Sequence, residues 1–489
     1  MGAESAVWNT TGGVLYHDIE IPQLTAKPGS PSLESRFFAD DGLWREAPML
    51  TGQVSFEPLP DVRNILVTGG EGFVASWLVR HLVTKYPQAY TVVSFDKLDY
   101  CSSRHNARML ESRPNFHFVH GDVTNDEDVV DCLKRYRIDT IFHLAAHTHV
   151  DLSFGNSKSF TKNNVLGTHV LLESAKDVGT VKRFYHISTD EVYGEVKTGQ
   201  GDLKEHSLLE PTNPYAATKA AAEMMVTAYA KSFKLPTVII RLNNIYGPHQ
   251  YPEKIIPKFT NATMRRMPLF LHGDGKHTRR YLYAGDAADA FDTILHKGRL
   301  GEVYNVDSRD EVSNFELATK LLSMFGINDT DSWIQLTRDR PFNDRRYAVD
   351  GEKLRKLGWT QRTSFDDGLA ATVEWYAKFA DWWGPVDNTL LAAFPVVKGG
   401  HVVKPEASRM IEKEAITGAD DHTAVAGGGP DHNGEAVSNK RKLERMGPED
   451  IAGADEHTAP GVGRDNVNGE AISKKRKVEL MLSEDMADV

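Results

Sequence analysis

Between Asn64 and Leu242 the chain alternates two textures. Short apolar runs rich in Val and Ile occupy Asn64–Thr68, Thr91–Asp96, Phe116–Val119, Thr140–Ala145, Arg183–Ser188 and Thr237–Leu242. Between them, apolar residues recur every third or fourth position in Trp77–Lys85, Asp126–Tyr136, Asn164–Ala175 and Ala216–Phe233. Continuous apolar runs suit strands covered on both faces, and the helical period suits amphipathic helices. Strand, helix, strand at this spacing predicts an α/β fold with a doubly wound parallel sheet. After Leu242 the alternation loosens, as a smaller mixed α/β substrate domain would do.

Composition changes at both ends. Residues 1–60 carry Pro22, Pro28, Pro31, Pro48, Pro58 and Pro60, together with Trp8, Tyr16, Phe37, Phe38 and Trp44, and read as an irregular extension that packs in places on the folded body. Residues 61–397 read as the folded unit between the two ends, with parts 61–242 and 243–397 divided where the alternation loosens. Residues 398–489 are poor in aromatics and contain a repeat: the segment from Ile416 recurs from Ile451 without a gap. So little apolar content predicts a disordered tail.

The net charge of −11 speaks against a nucleic-acid partner. Two cysteines, Cys101 and Cys132, suit a reducing compartment. The first residues lack a basic region followed by an apolar stretch, and no run is long and apolar enough to span a membrane, so a cytoplasmic protein is expected. The basic clusters Lys440–Lys442 and Lys474–Lys477 resemble nuclear-import signals, the less favoured reading in a net acidic tail.

Chemistry enters at strand ends. In NILVTGGEGFVASWLVRHL, Gly69 permits a tight strand-to-helix turn, and Gly72 lets backbone N–H groups approach a pyrophosphate. Asp96 closes the next run, where a carboxylate accepts from ribose hydroxyls and repels a 2′-phosphate, favouring NAD over NADP. Asp122 and Val123 in HGDV, and Ala145 and Ala146 in HLAA, end the following strands over the same crevice. Tyr215 and Lys219 stand four apart at the start of a helix, on one face, where an ammonium would stabilise a phenolate base. Thr189, Asp190 and Glu191 follow the strand HIS. Adjacent carboxyls repel unless one is protonated, which separates an acid from a base.

At these residues the chain resembles the extended short-chain dehydrogenase/reductase superfamily, specifically its nucleotide-sugar 4,6-dehydratases, from about Asn64 to about Gly384. The motif STDEVYG carries the resemblance, since epimerase relatives lack the Asp-Glu pair. The stretches DKLDYCS, THVDLSFGNS and NNIYGPHQYPEKIIPKF look most like UDP-glucose 4,6-dehydratases, including the dehydratase part of rhamnose synthases. The resemblance implies a Rossmann-type sheet and a bound NAD, with Tyr215 the base at the C4 hydroxyl, Lys219 its partner, Thr189 on the C4 oxygen, Asp190 the acid at C6 and Glu191 the base at C5. It implies cofactor contacts from Phe73, Val74, Lys97, Leu144 and Asn163. Thr148, Asn244, Lys254, Arg279, Asn305 and Arg340 match positions that grip the sugar nucleotide. No metal is expected. A homodimer through the Tyr–Lys helix is expected, and with no reductase-like unit following, a separate chain should complete the deoxysugar. Ala75 departs from the pattern, which usually has Gly there. A dTDP-glucose 4,6-dehydratase, a 4-epimerase or decarboxylase, and a pseudoenzyme scaffold remain as alternatives.

Overall fold

The computed structural model describes residues 42–391 apart from Thr198, together with 396–398 and 401–403. Residues 1–41 and the repeated tail with its basic clusters lie outside the described residues.

The main sheet contains β1 (Asn64–Thr68), β2 (Thr91–Asp96), β3 (Phe116–His120), β4 (Thr140–His143), β5 (Arg183–Thr189) and β6 (Thr237–Leu242). Further on come β7 (Asn244–Tyr246), β8 (Leu269–His272), β9 (Thr278–Tyr283) and β10 (Val303–Val306). The sheet order is β10-β6-β5-β4-β1-β2-β3, seven strands, all parallel. It is the doubly wound arrangement the alternation predicts. Chain order reverses between β1 and β4, and the crevice beyond their C-terminal ends is where such sheets bind ligands.

Helices α1 (Phe73–Lys85), α2 (Asp126–Arg135), α3 (Gly167–Val178), α4 (Pro214–Phe233) and α5 (Ala284–Lys297) cover the sheet. On one face Val79 and Leu82 of α1 meet Phe291 and Ile294 of α5 over Ile65, Val67 and Tyr185. On the other, Val129 and Cys132 of α2, Leu171 and Leu172 of α3 and Val226 of α4 pack over Leu66, Val93 and Ile141. Buried, Cys132 is a core thiol, and burial pushes its pKa up to about 12.

Three expectations change. The boundary at 242 does not divide the chain into two folding layers: α5 packs on the cofactor half and β10 pairs with β6, extending the main sheet. Four residues of β10 are too few to register as a strand, and only their partner reveals them. The third predicted helix begins as a π-helical stretch, Thr161–Leu166, before α3. The boundary at 397 is crossed by a hairpin pairing Val396–Lys398 with Val403–His401.

The described part of the N-terminal extension packs as expected. Leu43, Trp44, Ala47 and Leu50 lie on the aromatic cluster of Tyr251, Trp375, Trp382 and Trp383. Its backbone is then tied to α1 and α5: Gln53 N and Val54 N donate to Asp289 Oδ1 at 2.6 and 2.9 Å, and Arg80 Nε donates to the Leu50 carbonyl at 2.8 Å.

Candidate active site

The turn after β1 makes a cradle that only glycine can form. Gly69 has φ +69°, and a Cβ there would stand 2.9 Å from Ala145 Cα. Gly72 N donates to the Gly69 carbonyl at 2.9 Å, and a Cβ on Gly72 would sit 3.0 Å from that oxygen. Gly72 caps α1 without a side-chain partner, so the first N–H groups of the helix face the cavity, a setting for a pyrophosphate. Asp96, buried at the end of β2, accepts from Glu71 N at 3.0 Å and Leu98 N at 2.7 Å, which fixes its carboxylate at the cavity wall. Lys97 donates to Asn163 Oδ1 at 2.8 Å. Phe73, Val74, Val123, Leu144, Ala145 and Ala146 line the same cavity, as expected of a dinucleotide site. So does Ala75; its methyl is accommodated. Asp122 is not in the lining; its side chain accepts from Thr124 N at 2.8 Å and serves the turn, while its neighbours Gly121 and Val123 face the cavity.

The cavity continues to the tip of β5. There Thr189 caps a tight turn, its Oγ1 accepting from Glu191 N at 3.3 Å, and Asp190 and Glu191 follow. Asn213 caps α4 by accepting from Ala216 N at 2.9 Å, and Pro214 starts the helix with no N–H to lose. Tyr215 and Lys219 are thereby brought to the same cavity as Thr189, Asp190 and Glu191.

Two asparagines hold the two acids. Asn243 Nδ2 donates to Asp190 Oδ2 at 2.6 Å, and Asn213 Nδ2 donates to Glu191 Oε2 at 3.2 Å. Backbone donors fix both amides: Ser308 N reaches Asn243 Oδ1 at 2.8 Å and Ala216 N reaches Asn213 Oδ1 at 2.9 Å. Each amide must therefore turn its NH₂ to the carboxyl. Neither residue was a sequence candidate. Asn before Pro at a helix start was a readable cap signal; nothing in the sequence marks Asn243 apart from its neighbour Asn244.

Burial holds the Asp190 carboxyl up to about 7, and the charge of Glu191 adds to it. Glu191 is also raised by burial, against donation from Asn213. Burial, with Glu191 and Asp190, holds the Tyr215 phenol above its ordinary value rather than below it. Lys219, lowered by burial to about 8, donates to the Ile187 carbonyl at 2.6 Å. Four residues of helix put Lys219 on the right face, but burial first, and then the charges of Glu191 and Asp190 just beyond β5, hold the phenol proton.

Thr148, Asn244 and Lys254 line the far end, with Lys254 Nζ donating to the Thr148 carbonyl at 2.7 Å. The other three substrate candidates are not in the lining. Arg279 lies over the Tyr347 ring at 4.5 Å, and its charge reaches Asp190 and Glu191. Arg340 pairs with buried Asp151 at 2.6 Å, and its charge also reaches Glu191. Asn305 faces away altogether: it accepts from Tyr193 OH at 2.8 Å and donates to the Leu203 carbonyl at 3.1 Å, so its amide braces β10. Sequence reasoning also missed His147 and Glu253 in the lining. His147 Nε2 meets Asp99 Oδ2 at 3.1 Å, and Glu253 accepts from Tyr100 OH at 2.6 Å. Among the described residues no group of three or more His, Cys, Asp or Glu could hold a metal ion, and no helix is long and apolar enough to cross a membrane.

A family model described as GDP-mannose 4,6 dehydratase matches residues 66–372, more than half of the chain. The chain belongs to this family. With it comes the extended short-chain dehydrogenase/reductase class of nucleotide-sugar 4,6-dehydratases that the motifs resemble. A trifunctional UDP-glucose 4,6-dehydratase/UDP-4-keto-6-deoxy-D-glucose 3,5-epimerase/UDP-4-keto-L-rhamnose-reductase of Arabidopsis thaliana is 51% identical over 67% of this chain and 49% of its own length. The chain thus spans about half the length of that relative. A dTDP-D-glucose 4,6-dehydratase of Mus musculus is 43% identical over 68% of this chain and 94% of its own. Among solved structures, a dTDP-glucose 4,6-dehydratase of Streptomyces venezuelae with NAD bound superposes with a TM-score of 0.63 at 39% identity, covering 66% of this chain and 100% of that one.

Proposed function

We propose that this chain is an NAD-dependent nucleotide-sugar 4,6-dehydratase that converts UDP-glucose to its 4-keto-6-deoxy form. The observation that carries the reading is the meeting, in one cavity, of a glycine cradle, the Tyr215–Lys219 pair and two adjacent acids held by separate amides. Oxidation alone needs only the first two. An acid beside a base is the extra equipment for expelling water.

Gly69, Gly72 and Asp96 would hold NAD, which when bound would supply hydride chemistry at C4 and C6. Tyr215 takes the C4 hydroxyl proton, assisted by the Lys219 ammonium, and Thr189 holds the C4 oxygen. Glu191 removes the C5 proton, made acidic by the neighbouring ketone. Asp190 protonates the C6 hydroxyl as it leaves. Its raised proton affinity keeps it an acid near neutral pH, and Asn213 donates to Glu191 in support of the charged, basic form. Lys254, Thr148 and Asn244 suit the sugar and diphosphate, and Arg279 and Arg340 add positive charge behind them.

UDP-glucose is favoured over dTDP-glucose by the higher identity to the plant relative than to the mouse relative. The 4-keto product suits a 3,5-epimerase and a keto reductase, activities that the plant relative's name includes. A second copy of the chain is the proposed partner on α4, where Met224 and Phe233 are 63% and 52% exposed.

Incubating the full chain with UDP-glucose or dTDP-glucose, and following the alkali-absorbing 4-keto product, tests the reading. Product is expected from UDP-glucose at the higher kcat/KM. Glu191→Gln should bind NAD and lose solvent deuterium incorporation at C5. No product from either nucleotide sugar sinks the proposal.

A further inference from the structure

The loop between β7 and the helix Ile255–Met264 brings Gln250, Tyr251, Glu253 and Lys254 to the cavity. Four consecutive residues of this loop are each held by another part of the chain. Trp77 Nε1 donates to the Pro248 carbonyl at 3.1 Å, and Arg80 Nη2 donates to His249 Nδ1 at 3.1 Å. Tyr376 OH donates to the Gln250 carbonyl, and the Tyr251 and Thr389 hydroxyls bond at 3.2 Å. His249 has φ +73°, a left-handed backbone that a residue with a Cβ adopts at a cost and keeps only where its surroundings force it. Its side chain is fully buried, with the ring 4.8 Å from Trp375 and 5.0 Å from Trp382.

Much of this hold comes from outside the residues that the family model matches, 66–372. Trp375, Tyr376, Trp382 and Thr389 lie after them. Leu50 lies before them, and its carbonyl accepts from Arg80 Nε at 2.8 Å, fixing the guanidinium that reaches His249. The two flanks also meet each other. Leu43, Trp44, Ala47 and Leu50 pack on the cluster of Trp375, Trp382 and Trp383, to which Tyr251 belongs. Tyr251 stands edge-on to Trp383 at 5.1 Å and to Tyr100 at 5.5 Å, and the Tyr100 hydroxyl donates to Glu253. A continuous line of contacts runs from Trp44 through the tryptophans to the cavity wall.

We propose that the two flanks, residues 42–54 and 375–390, position the loop 248–254 and thereby set how tightly the cavity grips its nucleotide sugar. The inference rests on the dehydratase reading above for the class of ligand. A loop that must be ordered when ligand arrives weakens binding by the cost of ordering it; a loop already held loses less. Lys254 Nζ, tied to the Thr148 carbonyl at 2.7 Å, then meets a diphosphate with little left to arrange. Asp190 and Glu191 are held separately, by Asn243 and Asn213, so the flanks bear on binding rather than on proton transfer. Tyr376 and Thr389 are positioning residues, acting through the loop.

Titration calorimetry of the full chain with UDP, with dTDP and with NAD tests this, since neither nucleoside diphosphate carries a hexose to turn over. Tyr376→Phe removes the hydroxyl on the Gln250 carbonyl, and Thr389→Val removes the one on Tyr251, each at nearly constant shape. Each should raise the Kd of the nucleoside diphosphates by about 5-fold, the worth of one hydrogen bond, and leave the Kd of NAD unchanged. Trp44→Ala, on the other flank, should weaken the same ligands and spare NAD. In turnover, KM for UDP-glucose should rise in all three with kcat held. Native affinity for UDP and dTDP in the two hydroxyl variants, or in a folded Trp44→Ala chain, overturns the proposal and reduces the flanks to structural support. Equal weakening of NAD overturns it too, because the effect would not then lie in the loop. Absence of product from a native chain that binds UDP or dTDP sinks the dehydratase reading while the affinities still decide the flanks. A native chain that binds neither nucleotide overturns both.

Discussion

Asp190 and Glu191 are chemically similar neighbours, and their surroundings divide the labour. Asp190 is buried and sits beside a second acid, so its neutral form persists to about pH 7. A general acid works only while protonated, so kcat should fall as pH rises through about 7, with Asp190 the titrating group. The sign for stability is the same. A folded-state value above the unfolded one gives a contribution present at low pH and lost as pH rises through that value. Asp190→Asn should lower kcat by about 10²–10⁴-fold, the usual range for such a group, and flatten this alkaline limb. Unchanged NAD affinity by titration calorimetry would separate a catalytic defect from a folding one. A persistent alkaline limb in Asp190→Asn would assign the titration elsewhere.

At the scale of elements, the site is assembled from ends. β1 ends in the glycine cradle, β5 ends in the Thr-Asp-Glu turn, and α4 begins one residue before Tyr215. Asn213 belongs to two of these at once, capping α4 and donating to Glu191. Its removal should therefore cost more than a cap. Asn213→Ala is expected to lose about 1 kcal/mol of stability in denaturant unfolding, the usual worth of an N-cap. The bond to Glu191 is lost in the same change, so kcat should fall with KM little altered. Asn213→Asp keeps the cap but sets a second charge against Glu191, so stability should largely return while kcat does not. Recovery of both would reduce Asn213 to a helix cap. The strands most legible in the sequence, β1, β2 and β6, are continuous apolar runs buried on both faces, and their bounds follow the pattern to the residue. β10 escaped notice because a four-residue strand is defined by the neighbour it pairs with.

Across the whole molecule, burial of charge and exposure of apolar surface mark what the single chain leaves to others. Glu223 of α4 meets Arg241 of β6 at 2.6 Å in the core, anchoring the helix that carries Tyr215 to the sheet. Elsewhere on α4, Met224 and, at the far end of the helix, Phe233 are exposed. Met224→Glu is expected to shift the chain from dimer to monomer in sedimentation velocity, leaving the fold intact by circular dichroism. A native chain that sediments as a monomer refutes the proposed self-association.

The sequence by itself determined the strands and helices of the cofactor half and the glycine turn, and it singled out the residues proposed to react. Each of these is local: a strand buried on both faces must be apolar, a tight turn at positive φ needs glycine, and four helical residues set two side chains on one face. Tertiary structure alone decided which way distant side chains turn. Asn305, expected to grip substrate, braces β10, Asp122 serves a turn, and Asn243 grips Asp190 across 53 positions of chain. Tyr215 has its proton held tighter, not looser, because burial and two acids on another element outweigh a lysine on its own. Fields and hydrogen bonds act through space, and distance in space is what folding adds to the order of residues.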